Sequence, residues 1–482
     1  MSELPKGWSL VKLENVVDKI VGGGTPSKSQ PSYFMGEIPW MTVKDMNKTF
    51  LTDTVDHITQ EAVENSSTNI IPAGVPIIAT RMSLGKIIRA SFDSAINQDL
   101  KALFINQEVN QYYFENWYRS QGMKVEALGT GTTVKGIRLE VLKDLDFPLA
   151  PLVEQKRIVE KLDQVLAQVD TIKARLDGIP AILKRFRQSV LAAAVSGKLT
   201  EEWREVNTCT NVFETLDLNK VERSKFLKGK ALYTQEHLKS EEFLIPKKWT
   251  WVSLDSLTKK IVDGTHHTPT YVQSGIPFIS VKDIKSGEVN FTDTKYITEE
   301  EHAELSRRCH VEQGDLLITK SGTIGRTAIV KTDKQFSLFV SVALLKPASC
   351  YVNMNYMNIA LQKWINEIDV SSRIVGSAIK NLHLRDMKVL AIPFAPFEEQ
   401  TEIVRLVDQY FAFADTIEKQ VQKAQQRVDK LTQSILAKAF RGELVPQNPD
   451  DEPADELLNR IAAARAESEA LAKAAKKVGK RK

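Results

Sequence analysis

Two segments of the chain share a hydrophobic spacing that predicts long helices in a coiled coil. Apolar residues recur at spacings that alternate strictly between four and three. The first series is Ile158, Leu162, Val165, Val169, Ile172, Leu176, Ile179, Leu183, Phe186 and Val190, and the second is Ile403, Val407, Tyr410, Ala414, Ile417, Val421, Ala424, Val428, Leu431 and Ile435. A period of about 3.5 residues over several heptads favours a coiled coil, each segment being the obvious partner of the other. Two ordinary amphipathic core helices are the alternative, although these rarely keep the alternation so long.

A proline lies inside the first series. The first segment contains Asp177-Gly178-Ile179-Pro180, where the second has Gln422-Lys423-Ala424-Gln425. An interior proline removes a helical hydrogen bond and clashes with the preceding turn, at about 3 kcal/mol. The sequence therefore predicts that the first helix kinks or restarts at Pro180, while the second runs on.

The segments in front of each helix have a different pattern. Short β-rich runs (IPWMTV, GVPIIAT, GDLLIT, TAIV, SVALL) are broken by turn residues, with a helix expected near residues 112–120 and again near 357–367. This mixture predicts α+β domains. Residues 200–245 are charged and weakly patterned, and are interpreted as a linker. Residues 446–453 are interpreted as a break before an Ala-rich helix and a basic tail.

The chain repeats itself. Residues 131–199 match residues 376–444 at 25 of 69 positions with a constant offset, where unrelated sequences would give roughly four matches. Two copies of one unit are too few and too long for a solenoid. The predicted parts are a globular domain at 1–150, a helical segment at 151–199, a linker at 200–245, a globular domain at 246–395, a helical segment at 396–445 and a tail at 446–482.

Composition narrows the class of protein. With 42% hydrophobic and 26% charged residues in 482, the chain is globular, and no apolar run is long enough to cross a bilayer, so no membrane partner is expected. Cys209, Cys309 and Cys350 are odd in number and far apart, which fits a reducing cytoplasm without disulfides. The net charge is +4, but the last twelve residues carry six basic ones. Contacts with nucleic acid must therefore come from local basic patches.

The search for catalytic and metal-binding motifs finds none. A phosphate-binding G-x-x-x-x-G-K-[ST] motif is absent, and Gly22-Gly23-Gly24 lacks the spacing of a dinucleotide-binding loop. His266 and His267 are adjacent and have no nearby third ligand, so a surface loop is favoured over a metal site. The Asn/Asp-Pro-Pro-aromatic motif of amino-methylating enzymes is also absent. The chain is therefore expected to be no enzyme, and to hold no metal and no cofactor of its own.

Polar residues on glycine-bounded loops recur at corresponding places in both copies. Arg and Lys can pair with phosphates or guanine, Asn can pair with adenine, and Ser or Thr can serve either purpose. The candidate DNA-binding residues are Lys44, Arg81, Ser83, Lys86, Thr132, Thr133 and Lys135 in the first copy and Lys282, Lys320, Ser321, Arg326, Ser377, Lys380 and Asn381 in the second. Each is weak evidence alone, because a loop lysine is usually solvated, but the recurrence in two copies strengthens the set.

These features together resemble a known family. PLVEQKRIVEKLD at 151–163 recurs as PFEEQTEIVRLVD at 396–408, and QSVLAAAVSGKLTEEW at 188–203 recurs in part as QSILAKAFRGEL at 433–444. The chain up to about Leu444 resembles the specificity (S) subunit of type I restriction-modification systems. After Leu444, VPQNPDDEP stands where the first copy has TEEW.

The resemblance implies a fold and a set of partners. Two α+β target recognition domains, each for one part of a gapped double-stranded DNA site, would be separated by two long helices in an antiparallel coiled coil. The helices would dock two methyltransferase (M) subunits, which use S-adenosylmethionine, and through them restriction (R) subunits, which use ATP and magnesium. The residues expected in the coiled coil or its docking faces are Glu154, Gln155, Ile158, Leu162, Val169, Ile172, Gln188, Glu399, Gln400, Ile403, Val407, Ile417 and Gln433.

A fused pair of readers also explains why the unit is repeated. Most DNA readers are homodimers on palindromic sites, whereas two copies in one chain can diverge and read an asymmetric site. A coiled-coil scaffold joining two protein-binding modules is the alternative function, and a self-contained DNA methyltransferase is a third. Neighbouring genes for an adenine methyltransferase and a helicase-nuclease would favour the first of the three.

Overall fold

The computed structural model describes residues 4–131, 134–227, 243–285, 287–367 and 382–479. The chain divides into two compact units. Unit 1 contains Met1–Asp177 together with Gln422–Lys482, and unit 2 contains Gly178–Val421. Both long helical segments are therefore shared, because each contributes one part to unit 1 and the other to unit 2.

The helices alternate with β-rich regions along the chain. In chain order they are α1 (Gln60–Glu64), α2 (Gln111–Ser120), α3 (Gly122–Leu128), α4 (Leu139–Lys143), α5 (Leu152–Val195), α6 (Glu201–Val206), α7 (Val212–Ser224), α8 (Glu299–Arg308), α9 (Met354–Glu367), α10 (Leu384–Lys388), α11 (Phe397–Phe440) and α12 (Ala454–Gly479).

The globular part of unit 1 is built on three sheets. Its strands are β1 (Ser9–Lys12), β2 (Val17–Gly22), β3 (Ile38–Met41), β4 (Phe50–Leu51), β5 (Asp56–Ile58), β6 (Asn69–Ile71), β7 (Ile77–Ala79), β8 (Ile87–Ala90), β9 (Ser94–Ile96), β10 (Leu100–Ile105) and β11 (Asp146–Leu149). The sheet orders are β2-β10-β7-β8-β4, β5-β3-β9-β6 and β1-β11. Strand β7 is buried along its whole length, as its apolar sequence requires at the centre of a sheet.

The globular part of unit 2 has the same plan. Its strands are β12 (Thr250–Ser253), β13 (Thr258–Asp263), β14 (Ile276–Ile279), β15 (Ile284–Lys285), β16 (Glu288–Val289), β17 (Lys295–Ile297), β18 (Leu316–Thr319), β19 (Thr327–Ile329), β20 (Ser337–Leu338), β21 (Val342–Pro347) and β22 (Ala391–Phe394). The orders are β13-β21-β18-β19, β17-β14-β20, β12-β22 and β15-β16. The antiparallel pairs β2/β10 and β13/β21 correspond, as do β1/β11 and β12/β22.

In each unit a shorter helix packs between the globular domain and the long helix. In unit 1, α2 begins at Asn110, whose side chain accepts a hydrogen bond from the Tyr113 N–H at 3.1 Å. Its buried face, including Tyr113 and Trp117, packs with Phe147 of β11 and Ile158 of α5. In unit 2, α9 occupies the corresponding place.

Helices α5 and α11 are 44 residues long and antiparallel. In unit 1, Lys173 Nζ lies 3.1 Å from Asp429 Oδ1. In unit 2, Arg187 Nη2 lies 2.6 Å from Asp415 Oδ1. The residue numbers fall along one helix as they rise along the other, which confirms the antiparallel pairing. Pro180 lies inside α5 and the helix continues through it, so of the two expected outcomes, a kink or a restart, the restart does not occur.

The segment after each long helix folds onto a globular domain. Gly197 and Gly442 follow the two helices with φ of 74° and 73°, the left-handed conformation that ends a helix. In unit 2 the chain then forms α6 and α7, and in unit 1 it leads to α12. Among the described residues no helix is both long and apolar enough to span a membrane.

Candidate nucleic-acid interface

Two loops of unit 1 meet beyond the end of β7 and form a polar corner. The Met82 N–H donates to the Lys135 carbonyl at 3.0 Å, and Arg81 pairs with Gly136 as an isolated antiparallel bridge. The structure therefore brings Arg81 and Lys135, two predicted DNA-binding residues, to one place. The side chain of Lys135 is exposed.

Arg81 is free to reach a ligand. Its side chain is 62% exposed, and its Nη1 lies 3.8 Å from Asp99 Oδ1, a loose ion pair. Lys86, on the same loop, is also exposed and donates to Asn47 Oδ1 at 3.1 Å. A third loop of unit 1 is thereby joined to the corner, which gathers cations that can bind phosphates or base edges.

Met82 is a functional candidate that the sequence did not reveal. Its φ of 63° makes it the sole described residue other than glycine with a positive φ, a conformation that is disfavoured for an L side chain. Its side chain is 65% exposed and lies between Arg81 and the partly buried Ser83. Strained residues of this kind cluster at binding sites, but no preference of methionine could mark the position from sequence.

Lys44 and Lys282 occupy matching short turns after β3 and β14. A threonine or serine caps each turn with an aspartate three residues later. Lys44 Nζ forms an ion pair with Asp56 Oδ2 at 2.7 Å, and Lys282 donates to the Asp293 carbonyl at 2.8 Å. Both side chains are accessible, but part of the charge of Lys44 is already compensated.

The corresponding loop of unit 2, which follows β18, has a buried cation where unit 1 has an exposed one. Lys320 is only 5% exposed, and its Nζ lies 3.2 Å from Oδ2 of the buried Asp263. Arg308 and His266 also contact Asp263, at 2.5 and 3.3 Å. Lys320 could reach DNA only by leaving a buried ion pair, so its setting differs from that of Arg81, and its DNA contact stays a prediction.

The charge of this cluster is held by its hydrogen bonds. Burial raises the pKa of Asp263, but hydrogen bonds from Lys320 and His266 lower it by more, so the pKa lies below its ordinary value. Asp263 therefore stays ionised at neutral pH. Asp263 and Lys320 are buried, whereas the side chains of Arg308 and His266 are more than half exposed.

Ser321 and Arg326 lie on the loop between β18 and β19. Arg326 is exposed; its N–H donates to Thr319 Oγ1 at 2.9 Å and its Nη1 to the Ile284 carbonyl at 3.4 Å. Ser321 is partly buried. The predicted residues outside the described part of the chain are Thr132, Thr133, Ser377, Lys380 and Asn381.

A buried glutamate joins α11 to its surroundings in unit 2. Glu399 accepts from Trp249 Nε1 at 2.8 Å, from Thr200 Oγ1 at 2.7 Å and from Arg204 Nε at 3.1 Å. The carboxylate has no exposed surface. Three donors from two different segments therefore converge on one charge.

Glu154 accepts the equivalent hydrogen bonds in unit 1. It accepts from Trp8 Nε1 at 2.9 Å and from Gln447 Nε2 at 3.1 Å, while Arg157 pairs with Asp451 at 2.6 Å. Gln447 and Asp451 belong to the segment that departs from the repeat in sequence. That segment nevertheless contacts Glu154, which is equivalent to the glutamate that Thr200 and Arg204 contact in the other copy.

The glutamines next to these glutamates hold the domains to the helices. Gln155 donates to the Ala150 carbonyl and accepts from the Asn110 N–H, both at 2.8 Å. Gln400 repeats both bonds in unit 2, at 2.8 and 3.0 Å. All four side chains of the Glu-Gln pairs are buried in their own units. These side chains therefore contact their own domain and helix, and their role in the docking faces stays a prediction.

The predicted seam of the coiled coil is buried or partly buried except at Ile172, Tyr410 and Leu431, which are 46%, 40% and 47% exposed. Ile158, Leu162, Val169, Ile403 and Val407 are buried. Ile172 keeps the seam spacing, but its neighbours cover only part of its side chain. Ile417 and Gln188 are partly buried and Gln433 is exposed.

Comparison with known proteins agrees with this architecture. The family described as type I restriction modification DNA specificity domain matches residues 5–181 and 246–426. The EcoBI specificity subunit of Escherichia coli is 37% identical over 398 residues, which cover 79% of this chain and 77% of that protein. The EcoKI specificity subunit of Escherichia coli K12 is 30% identical over 97% of both chains.

A solved structure shares this fold. A chain from work on complex assembly and conformational transition of the type I R-M system superposes with a TM-score of 0.64 over 92% of this chain and all of that one, at 18% identity. The family matches fall on both copies of the repeat and include each globular domain with the beginning of its long helix. This chain belongs to the family of type I restriction-modification DNA specificity subunits.

Proposed function

We propose that this chain is the sequence-specificity subunit of a type I restriction-modification complex, and that its two globular domains each recognise one part of an asymmetric, gapped double-stranded DNA site. The proposal rests on one comparison. The two domains share their buried contacts with the long helices, but the loops after β7 and β18 differ in the exposure of their cations. Arg81 is exposed at the corner of unit 1, whereas Lys320 is buried at that of unit 2. Different corners on one frame are what two unlike half-sites require.

The exposed corners have the chemistry that DNA requires. In unit 1, Arg81, Lys86 and Lys135 can pair with phosphates or with the O6 and N7 atoms of guanine. Met82 adds an apolar group that could contact a thymine methyl group. In unit 2 this role would pass to Lys282 and Arg326, because Lys320 is engaged with Asp263.

The long helices would carry the remaining partners. Two methyltransferase subunits would dock on them, and restriction subunits would join through the methyltransferases. S-adenosylmethionine would be bound by the methyltransferase subunits, and ATP and magnesium by the restriction subunit. This chain would contribute recognition and assembly but no catalysis.

Exchange of one globular domain tests the proposal. Residues 1–150 would be replaced by the same region of a relative with a different target, and residues 246–395 would be replaced in a matched second variant. Each variant would be expressed with the methyltransferase subunit, and methylated adenines would be mapped across the genome. We expect each exchange to change one part of the site and leave the other part unchanged.

Two results would contradict the proposal. Either both parts of the site change with a single exchange, or the methylated sequence stays the same after both exchanges. If the complex with the unaltered chain forms but methylates no defined sequence, a specificity role is also excluded.

A further inference from the structure

The helix pair has one outer face whose composition differs between the two units. In each helix this face is formed by the residues that immediately precede alternate seam residues, such as Lys161 before Leu162. We call it the g face. The g face of unit 2 consists of Ile182, Ser189, Leu406, Phe413 and Gln420, and the g face of unit 1 consists of Lys161, Gln168, Arg175, Arg427 and Ser434. The two sets correspond residue by residue in the repeat.

The geometry of the pair places each set on one side. The remaining seam residues, which include Phe186 and Ile417, are immediately followed by flanking residues on the other side of each helix. Two of these flanking residues, Arg187 and Glu418, form an ion pair at 2.9 Å. These flanking positions therefore share one side of the antiparallel pair, so the g positions of the two helices share the opposite side.

The g face of unit 2 has apolar residues at three of its five positions, Ile182, Leu406 and Phe413, of which Leu406 is partly buried. Ile182 is 55% exposed and Phe413 is 59% exposed. The rings of Phe186 and Tyr410 pack edge to face with centroids 6.1 Å apart. Ile182 lies one turn from Phe186, and Phe413 lies one turn from Tyr410 in the same direction, because the helices are antiparallel. These side chains therefore form one continuous apolar strip.

The g face of unit 1 is basic at the same places. Lys161 stands where unit 2 has Leu406, Gln168 where it has Phe413, and Arg427 where it has Ile182. All three side chains are exposed. Neither Lys161 nor Arg427 makes an ion pair with any residue that the structure describes. An apolar strip in one unit thus corresponds to a strip of free cations in the other.

The pattern in unit 2 indicates the kind of partner. A two-stranded coiled coil needs apolar residues at its seam only, whereas a helix that packs in a bundle has an apolar flanking position as well. The strip also adjoins an existing apolar contact, that of Phe186 with Tyr410, so it extends that interface outward. The partner that fits is a helical surface with an apolar stripe.

We propose that the g face of unit 2 is the stronger docking face for a methyltransferase subunit, that the g face of unit 1 binds a second copy more weakly, and that the two copies therefore bind in order. The inference rests on the proposed function, which supplies two identical partners. Identical partners present the same surface to both faces. The apolar face gains more from burial, while the basic face must desolvate or displace its charged groups.

The test counts methyltransferase subunits on the full chain. The methyltransferase subunit from the same genome would be titrated into the specificity subunit, and native mass spectrometry would give the fractions with zero, one and two copies. We expect two dissociation constants separated by more than the statistical factor for two identical sites. The one-copy complex should therefore dominate over a wide range of concentration.

Exchange of residues between the faces identifies which face binds first. The double variant Ile182→Arg with Phe413→Gln gives unit 2 the residues of unit 1, and should weaken the first step about tenfold or more, because two large apolar side chains no longer become buried. The reverse variant, Arg427→Ile with Gln168→Phe, should strengthen the second step. All four positions are exposed, and circular dichroism and thermal unfolding would check that each variant folds.

The outcomes separate this inference from the proposed function. Two constants related by the statistical factor alone, or constants that neither exchange alters, would overturn the inference and leave the function standing. Failure of the methyltransferase to bind the unaltered chain would overturn both. Self-association of the specificity subunit that Ile182→Arg with Phe413→Gln abolishes would assign the strip to a second copy of this chain, and would also overturn the inference.

Discussion

Trp8 and Trp249 each donate a ring N–H to a buried glutamate, at 2.9 and 2.8 Å, so the two copies agree where the globular domain meets its long helix. Their exposed corners differ, because Arg81 faces solvent and Lys320 is buried against Asp263. A buried polar group that loses its partner costs about 1–3 kcal/mol, whereas an exposed one can be replaced with little effect on folding. The frame is therefore constrained in both copies, while the corners can change with the sequence that they recognise.

The strongest test of the shared frame removes its central charge. Glu399→Leu leaves Arg204 without its buried counterion and two further donors without an acceptor. We expect unit 2 to lose about 3–5 kcal/mol of its free energy of unfolding. Hydrogen exchange followed by mass spectrometry, with peptides assigned to each unit, would measure the loss in unit 2 and provide unit 1 as an internal reference.

Glu154→Leu is the matched change in unit 1 and should have a smaller effect. Glu154 accepts bonds from two neutral side chains, while the nearby Arg157 keeps Asp451. The expected loss is about 1–3 kcal/mol. Equal losses in the two units would show that the guanidinium of Arg204 does not distinguish the two joints.

The next test compares the two corners directly. Lys320→Met should destabilise unit 2 by about 2–3 kcal/mol, because Asp263 loses a buried cation but keeps Arg308. Arg81→Ala should leave the stability of unit 1 almost unchanged. It should instead weaken binding of the complex to its DNA site by about 1–3 kcal/mol, or make the salt dependence shallower by about one unit if Arg81 contacts a phosphate.

Both variants would be measured by hydrogen exchange and by DNA binding at several salt concentrations. A Lys320→Met protein of normal stability with weakened DNA binding would return Lys320 to the interface. If Arg81→Ala alters neither affinity nor salt dependence, Arg81 is not a DNA contact.

Local patterns in the sequence predicted much of the fold. The β-rich runs IPWMTV, GVPIIAT, GDLLIT and TAIV contain β3, β7, β18 and β19, and SVALL contains the first four residues of β21. The two expected short helices are α2 and α9, and the repeated heptads are α5 and α11. These signals are periodic and local, so they survive in a single sequence.

What the sequence did not show depends on tertiary contacts. The region interpreted as a linker includes α6 and α7, whose weak patterns become helices because they pack on unit 2. The buried state of Lys320 follows from Asp263, which lies 57 positions earlier in the sequence, and no local signal links the two. Ile172 kept the seam spacing but is exposed, because spacing cannot tell how completely a partner covers a residue.

A smaller effect should distinguish the segments that follow the long helices. Arg223 donates to the Thr258 carbonyl at 3.0 Å and is almost fully buried. Arg465 donates to the Val17 carbonyl at 2.9 Å but is partly exposed. Val17 and Thr258 begin the equivalent strands β2 and β13, so the two arginines make the same contact in the two copies.

We expect Arg223→Ala to destabilise unit 2 by about 1.5–3 kcal/mol and Arg465→Ala to destabilise unit 1 by about 1 kcal/mol. Local hydrogen exchange in β13 and β2 would measure each effect. An Arg465→Ala protein with unchanged protection of β2 would show that α12 is not needed to hold this edge of the domain.

The smallest expected effect is the acid-dependent contribution of Asp263 to the stability of unit 2. Hydrogen bonds from Lys320 and His266 lower the pKa of Asp263 more than burial raises it, so that pKa lies below the ordinary value of 3.8. Its contribution to stability is then fully present above about pH 3.8 and is lost as the pH falls through the folded-state pKa. Asp263→Asn should therefore destabilise unit 2 at neutral pH, and the gap between the variant and the unaltered protein should close in acid. Thermal unfolding of both proteins between neutral pH and acid would measure that gap. A gap that stays constant would mean that the Asp263 cluster stabilises the domain by packing and not by charge. Unit 1 lacks this contribution, because Gly22 occupies the matching end of β2.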